Sequence, residues 1–312
     1  MGLDYAVAAM SPTLLPAAID VAAFDALHDD LPSWRGLVES LASALSSEPV
    51  VQMSEGTVLV ALVGRSHVLK VYPPFLRDHF EFERAALALL GGRLPVPTPV
   101  LQKTGQREGW CWLWMTRLHG DPLTAAWPGL SAAQQCALLS AVGALAAQVH
   151  ALPVAGLARH APAWPDFVAS QRARCRERQQ RMGLPPHLLA QLDDFLQGEV
   201  PQGPDVILSG EYTPMNLLAQ GQRLVGMFDF GDGLVGPREY DWLGPLAFLA
   251  AGSAQRCQAF FAGYGVAPGA AQRLALMRLL LLPRYSNLPA QIACPGWQQA
   301  QSFEALTALV WP

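Results

Sequence analysis

Residues 206–232 read Val206-Ile207-Leu208-Ser209-Gly210-Glu211-Tyr212-Thr213-Pro214-Met215-Asn216-Leu217-Leu218-Ala219-Gln220-Gly221-Gln222-Arg223-Leu224-Val225-Gly226-Met227-Phe228-Asp229-Phe230-Gly231-Asp232. Two apolar runs flank the Gly221-Gln222-Arg223 turn, the pattern of an antiparallel hairpin. With Gln222 and Arg223 as its loop, positions summing to 445 face each other, which sets Asn216 opposite Asp229. An amide oxygen and a carboxylate then converge at the open end of the hairpin. These are hard oxygen ligands of the kind Mg²⁺ takes when phosphates complete its shell. Glu211, five residues before Asn216, projects from the same loop, where a carboxylate can accept a proton from a hydroxyl. Asp232 beside Gly231 reads as a turn former.

Upstream, the apolar runs 58–62 and 68–72 are separated by Gly64-Arg65-Ser66 and read as a β-hairpin that carries Lys70. Pro73-Pro74 ends it, and 75–90 follows as a helix with Phe80, Glu83, Ala86, Leu87 and Leu90 on one face, stopped by Gly91-Gly92. Trp110, Trp112 and Trp114 alternate as a strand does, and the expectation is that they line an interface between two lobes. A connector at 116–120 sets the boundary: a β-rich lobe over 1–117 and a helical lobe over 118–312. Helical texture covers 131–152, 164–181, 186–197, 241–251 and 274–282. At the N-terminal end, 14–46 carries two peripheral helices, the second capped by Ser33.

Composition narrows the function. The chain has 312 residues, 51% hydrophobic and 15% charged, enough to bury a large core without disulfides or a structural metal. A formal net charge of −4 argues against a nucleic-acid or anionic-membrane partner. Five scattered cysteines with no CxxC spacing, and no basic-then-apolar leader, fit a reduced cytoplasmic setting. The stretch 122–158 lacks Asp, Glu, Lys and Arg, but it is interrupted by Pro122, Pro128 and Pro153 and carries His150. It reads as a buried helix with its turns, not as a membrane span. Walker-type phosphate loops, HExxH and GxSxG are absent.

The segment SGEYTPMNLL followed by FDFGD resembles the catalytic segment of the aminoglycoside phosphotransferase family, which reads HGDxxxxN and then a hydrophobic-Asp-aromatic pattern. The other pieces follow in the family's order over roughly residues 50–250: Lys70 in a strand, Glu83 in FEFERAALALL, the connector MTRLHG, and a helix ending in VHAL at His150. The resemblance implies a bilobal, protein-kinase-like α+β fold with a small β-rich N-terminal lobe and a mainly helical C-terminal lobe. It implies that Lys70, held by Glu83, contacts the phosphates of ATP or GTP. Met115 and Arg117 would lie in the hinge that pairs with the nucleobase, Asn216 and Asp229 would hold Mg²⁺, and Glu211 would take the catalytic-base position. Ser209 stands where the family usually has His, and Glu211 where it has Asp. The phosphate-covering loop, Met53-Ser54-Glu55-Gly56-Thr57, has a single glycine.

The implied activity is transfer of a phosphoryl group to a hydroxyl of a small molecule. Between Gln191 and Trp242 nine acidic residues face two basic ones, a field that suits a cationic substrate such as an aminoglycoside. Two other readings stand beside it: a pseudokinase-like nucleotide-binding protein without turnover, and a metabolic kinase for a sugar or amino alcohol. His150 is expected under the catalytic loop, and Asp241 is expected to brace that loop.

Overall fold

The β-branched runs around Gly64 pair as expected. In the computed structural model, β2 (Leu59–Val63) and β3 (His67–Tyr72) are antiparallel, with Val60 opposite Lys70 and Val63 opposite His67. Gly64 turns between them at φ +54°, a conformation that costs glycine nothing. The model describes residues 19–28, 30–54, 57–154, 156–283 and 292–312. Two compact units result, one from residues up to Phe80 with Val100–Arg117, the other from Glu81–Pro99 with Leu118–Pro312.

The first unit is a five-stranded antiparallel sheet, completed by β1 (Val50–Ser54), β4 (Leu101–Arg107) and β5 (Trp110–Thr116) in the order β1-β2-β3-β5-β4. β4 escapes sequence reading because it is polar, Leu-Gln-Lys-Thr-Gly-Gln-Arg, and lies at an edge with most side chains exposed. Glu108 and Gly109 join β4 to β5, both at positive φ, as a tight hairpin demands. Helices α1 (Val21–His28) and α2 (Leu31–Ser43) cover one face of the sheet. There Phe24, Trp34, Leu37 and Val38 form one core with Trp110 and Trp114, and Trp112 packs at its margin. The Trp34 and Trp110 rings meet edge-on at 5.4 Å. The alternating tryptophans therefore belong to the core of this unit, and the interface expected for them is not their role. α2 starts at Leu31 with Pro32 in its first turn, so Ser33 lies inside the helix and does not cap it. Residues 14–18 of the expected first helix, and Glu55 and Gly56 of the expected phosphate-covering loop, lie outside the described residues.

Helix α3 (Arg77–Leu90) ends at Gly91-Gly92, and the division between the units falls inside it. The second unit continues with α4 (Leu123–Ala126), α5 (Ala132–His150), α6 (Trp164–Arg181), α7 (Pro186–Leu189) and α8 (Leu192–Phe195). A Ser131/Gln134 capping box starts α5. The single helix expected over 186–197 is split in two, and Gln191 at the break donates to the carbonyls of His187 and Gln301. Four short strands form the β island: β7 (Val206–Leu208), β8 (Leu217–Gln220), β9 (Arg223–Met227) and β10 (Leu234–Gly236), with β6 (Asp121–Pro122) added beside β8. Then come α9 (Glu239–Pro245), which runs into a π-helical turn over Leu246–Ala250, α10 (Ala254–Tyr264), α11 (Ala270–Leu281) and α12 (Phe303–Val310).

The charge-free helix α5 is the one described helix long and apolar enough to cross a membrane. Here it packs along α10, with glycines at the crossing. A Cβ on Gly143 would overlap the Phe260 carbonyl, and one on Gly263 would overlap the Ser140 carbonyl. Leu138, Leu139, Val142, Leu145 and Val149 of α5 are buried in the core.

Candidate active site

The loop between β7 and β8 is held from behind. Asp241, 2% exposed near the start of α9, accepts from the Ser209 backbone N–H at 2.9 Å and from Ser209 Oγ at 3.3 Å. The same carboxylate meets His150 Nε2 at 3.2 Å, and His150 Nδ1 contacts the Tyr264 hydroxyl at 2.8 Å. The bracing expected of Asp241 is thus what the geometry provides, with Ser209 supplying the loop's side of it through its N–H and hydroxyl and His150 packed behind against the same carboxylate. Tyr264 was not legible in the sequence. It stands 114 positions from His150 and reaches it only because α10 lies along α5.

Two glycines fix the path of the loop. Gly210 takes φ +82°, and a Cβ there would overlap the Asp232 carbonyl. Gly244 of α9 presses on the Tyr212 carbonyl in the same way. Tyr212 is itself buried and donates its hydroxyl to the Val142 carbonyl at 2.8 Å. Burial, then the negative charge of Asp241, push its phenol well above the usual range, so it stays a neutral donor. The segment then closes on itself, Thr213 N–H donating to Glu211 O at 2.7 Å and Asn216 N–H to Thr213 O at 3.1 Å. The Asn216 side-chain Nδ2 also donates to Glu211 O, at 3.1 Å. Glu211 is therefore anchored through its carbonyl, with its half-buried side chain beyond that anchor.

The hairpin register differs from the expected one by a residue. The loop is Gly221-Gln222, because Gly221 at φ +59° supplies the turn conformation that Gln222-Arg223 cannot. Gln220 pairs with Arg223, and an irregularity between Leu218 and Ala219 shifts the register to Leu217 opposite Met227. The Phe228 N–H donates to Asn216 O at 3.1 Å, so Asn216 faces Phe228 and is one residue removed from Asp229. Asp229 sits at φ +68°, a left-handed conformation rare outside glycine and best tolerated by Asp and Asn. Its Oδ1 lies 3.5 Å from the Gly231 N–H. Phe230 is fully buried, and Gly233 is needed where the Phe82 ring crosses the chain.

Asn216 and Asp229 thus come to adjacent places from opposite strands of one hairpin, both half-buried and both oxygen donors. With Nδ2 committed to Glu211 O, Asn216 has its Oδ1 available to a cation. No cluster of three or more His, Cys, Asp or Glu suited to a metal occurs among the described residues. The donor set therefore fits a hard ion that keeps waters or phosphate oxygens as its other ligands, which is the habit of Mg²⁺.

The remaining expected site residues are distributed as follows. Lys70, Met115 and Arg117 belong to the first unit and Glu83 to the second. Lys70 is buried at 6% exposure in the middle of β3, opposite Leu113 of β5, and its Nζ lies 5.8 Å from the Tyr72 ring centroid. Met115 is buried two residues further along β5, opposite Val68. The Arg117 N–H donates to Ser66 O at 2.8 Å, so that donor is already used. Glu83 is 1% exposed in α3.

The comparisons bear on the family and the fold. The model of the phosphotransferase enzyme family abbreviated APH matches residues 51–277, well over half of the chain. No curated protein is similar enough in sequence to count as a relative. Among solved structures, the wild-type aminoglycoside 2'-phosphotransferase-IIIa in its GDP complex superposes with a TM-score of 0.63 at 16% identity, over 78% of this chain and 88% of that one. The GDP and kanamycin complex of APH(2")-IIia gives 0.62 at 16% identity, over 80% and 89%. The macrolide 2'-phosphotransferase MphH of Brachybacterium faecium gives 0.55 at 21% identity, over 80% and 91%. At these identities the likeness is one of fold, and the fold is kinase-like. From the sheet carrying Lys70 and the braced loop carrying Glu211 to the match along residues 51–277, the chain belongs to the APH phosphotransferase enzyme family.

Proposed function

We propose that this protein transfers the terminal phosphoryl group of ATP or GTP to a hydroxyl of a small molecule, with an aminoglycoside-like cationic acceptor as the leading class. The observation that carries the reading is the anchored loop. Asp241 and His150 hold its start, the Asn216 amide holds Glu211 by the carbonyl, and the hairpin delivers Asp229 beside Asn216. Glu211 accepts or orients the proton of the acceptor hydroxyl. Being one methylene longer than Asp, it reaches further from the same anchored backbone. Asn216 and Asp229 hold Mg²⁺, which when bound neutralises charge on the transferring phosphates. Lys70 contacts the phosphates, and Glu83 orients Lys70. Met115 and Arg117 border the nucleobase, Arg117 through its carbonyl or side chain, since its N–H is bonded to Ser66.

Several of the acidic residues counted between Gln191 and Trp242 are already partnered. Asp193 meets Arg176 at 2.7 Å, Glu239 lies 3.6 Å from Arg238, and Asp241 is spent on the brace. Glu211, Asp229 and Asp232 contribute acidic charge close to the proposed reaction centre. Solved neighbours of the same fold include complexes with kanamycin, gentamicin and streptomycin, which supports amino-sugar acceptors as the first to test. The test is a turnover screen with Mg-ATP and Mg-GTP against aminoglycosides, macrolides, sugars and amino alcohols. Phosphoryl transfer to one class establishes the reading and names the substrate. Tight nucleotide binding with no transfer to any acceptor would replace it with the pseudokinase reading.

A further inference from the structure

We propose a second ligand site, for a small organic anion, in a cleft of about 430 Å³ on the second unit. The outer face of α3 supplies Arg84, Ala85, Ala88 and Leu89, the turn after it supplies Arg93, and the 157–160 segment supplies Leu157, Arg159 and His160. None of these residues belongs to the loop carrying Glu211, Asn216 and Asp229. Three of the chain's 21 lysines and arginines, with a histidine, line this one cleft, in a protein whose net charge is −4.

The local structure uses only part of that charge. Glu81 accepts from Arg84 Nε at 3.0 Å and from Nη2 at 2.8 Å. The Gly156 carbonyl accepts from Arg159 Nε at 3.0 Å, and Gly156 is where a side chain would collide with that guanidinium. One cation is thus compensated and another is aimed by a neutral carbonyl. The outer edges of Arg84 and Arg159, and the Arg93 guanidinium, remain as donors. Three guanidinium groups and one carboxylate around a single cleft leave an uncompensated positive field, which an anion relieves by charge-assisted hydrogen bonds.

The floor sets the class of ligand further. Ala85 and Ala88 are small, so α3 leaves room above them, and Leu89 and the buried Leu157 make the surface apolar. Free inorganic phosphate would meet the arginines and leave this floor wet. A phosphomonoester or carboxylate with a compact apolar body would cover it, and that is the occupant the geometry points to.

The experiment uses the full-length protein and two probes, phenyl phosphate and inorganic phosphate, with affinities measured by calorimetry. The wild type is compared with the double variant Arg93→Glu plus Arg159→Glu, whose unliganded melting temperature serves as the folding control. The wild type should bind phenyl phosphate more tightly than inorganic phosphate, and the double variant should lose at least about tenfold in phenyl phosphate affinity through loss of two charge-assisted contacts. Binding that survives the double substitution within twofold assigns the probe to another place and overturns the site, as does absence of binding to the wild type. Equal affinity for the two probes overturns the organic ligand and leaves a free-phosphate site. Should the double variant melt well below the wild type, Arg159→Gln alone keeps the test, with the same directions expected.

Discussion

Replacing Asp241 tests the brace behind the catalytic loop. Its carboxylate is 2% exposed and serves the Ser209 N–H at 2.9 Å, the Ser209 hydroxyl at 3.3 Å and His150 Nε2 at 3.2 Å. Each hydrogen bond to a charged group contributes about 1.5–3 kcal/mol, but the three share one carboxylate and are not additive. Removing the carboxylate also leaves the buried Ser209 and His150 groups desolvated and unmatched, at about 1–3 kcal/mol for each unsatisfied group. Asp241→Ala should therefore lower stability by about 4 kcal/mol, or about 10 °C in melting temperature for a unit of this size. Asp241→Asn keeps the shape and one acceptor oxygen, and turns an NH₂ group toward either Ser209 or His150. Its cost should be about half that of the alanine variant. Thermal melts followed by circular dichroism read both. An alanine variant melting within about 2 °C of the wild type, or an asparagine variant as damaged as alanine, would show that the carboxylate does not hold the loop. Where Mg-nucleotide turnover is detectable, kcat should fall in both variants more than nucleotide affinity does, since the loop and not the nucleotide is displaced.

Glu211→Gln should reduce kcat by about 10²-fold or more with nucleotide affinity retained, while Glu211→Asp keeps partial activity; indifference of turnover to Glu211→Gln would remove the role assigned to it. Asp229→Asn removes a charged ligand at constant shape, so Mg²⁺-dependent stabilisation by nucleotide in a thermal-shift assay should largely vanish, with a smaller effect from Asp232→Asn. Lys70→Ala should weaken Mg-nucleotide binding by calorimetry, and unchanged affinity would detach Lys70 from the phosphates. Burial lifts the Cys175 and Cys257 thiols from 9 to about 11. In the unfolded chain they ionise first as pH rises past 9, so their contribution is complete below pH 9 and declines as pH climbs toward 11, by roughly 3 kcal/mol per thiol. Melting temperatures between pH 8 and 11 should fall less steeply in the Cys175→Ala plus Cys257→Ala variant, and parallel curves would refute the assignment.

What the sequence determined by itself is mainly local. The Gly64 turn, the stop at Gly91-Gly92, the helix opening at Ser131 and the hairpin around Gly221 follow from backbone preferences and short-range periodicity, which act within a few residues. The order of Lys70, Glu83, Glu211, Asn216 and Asp229 was likewise readable, because that order is a property of the chain alone. Tertiary structure decided the rest. β4 shows no apolar alternation because it is an exposed edge, and only its pairing with β5 makes it a strand. The tryptophans of β5 alternate whether they face a core or an interface, and it took α1 and α2 lying across them to settle which. The one-residue shift that places Asn216 opposite Phe228 comes from a loop at Gly221-Gln222, partly offset by an irregularity between Leu218 and Ala219 that period-two reasoning cannot anticipate. The Ser209, Asp241, His150 and Tyr264 chain joins positions up to 114 apart. Such contacts depend on how α5, α9 and α10 pack together, and packing is set by the whole core at once, whereas propensity is set by each residue and its neighbours.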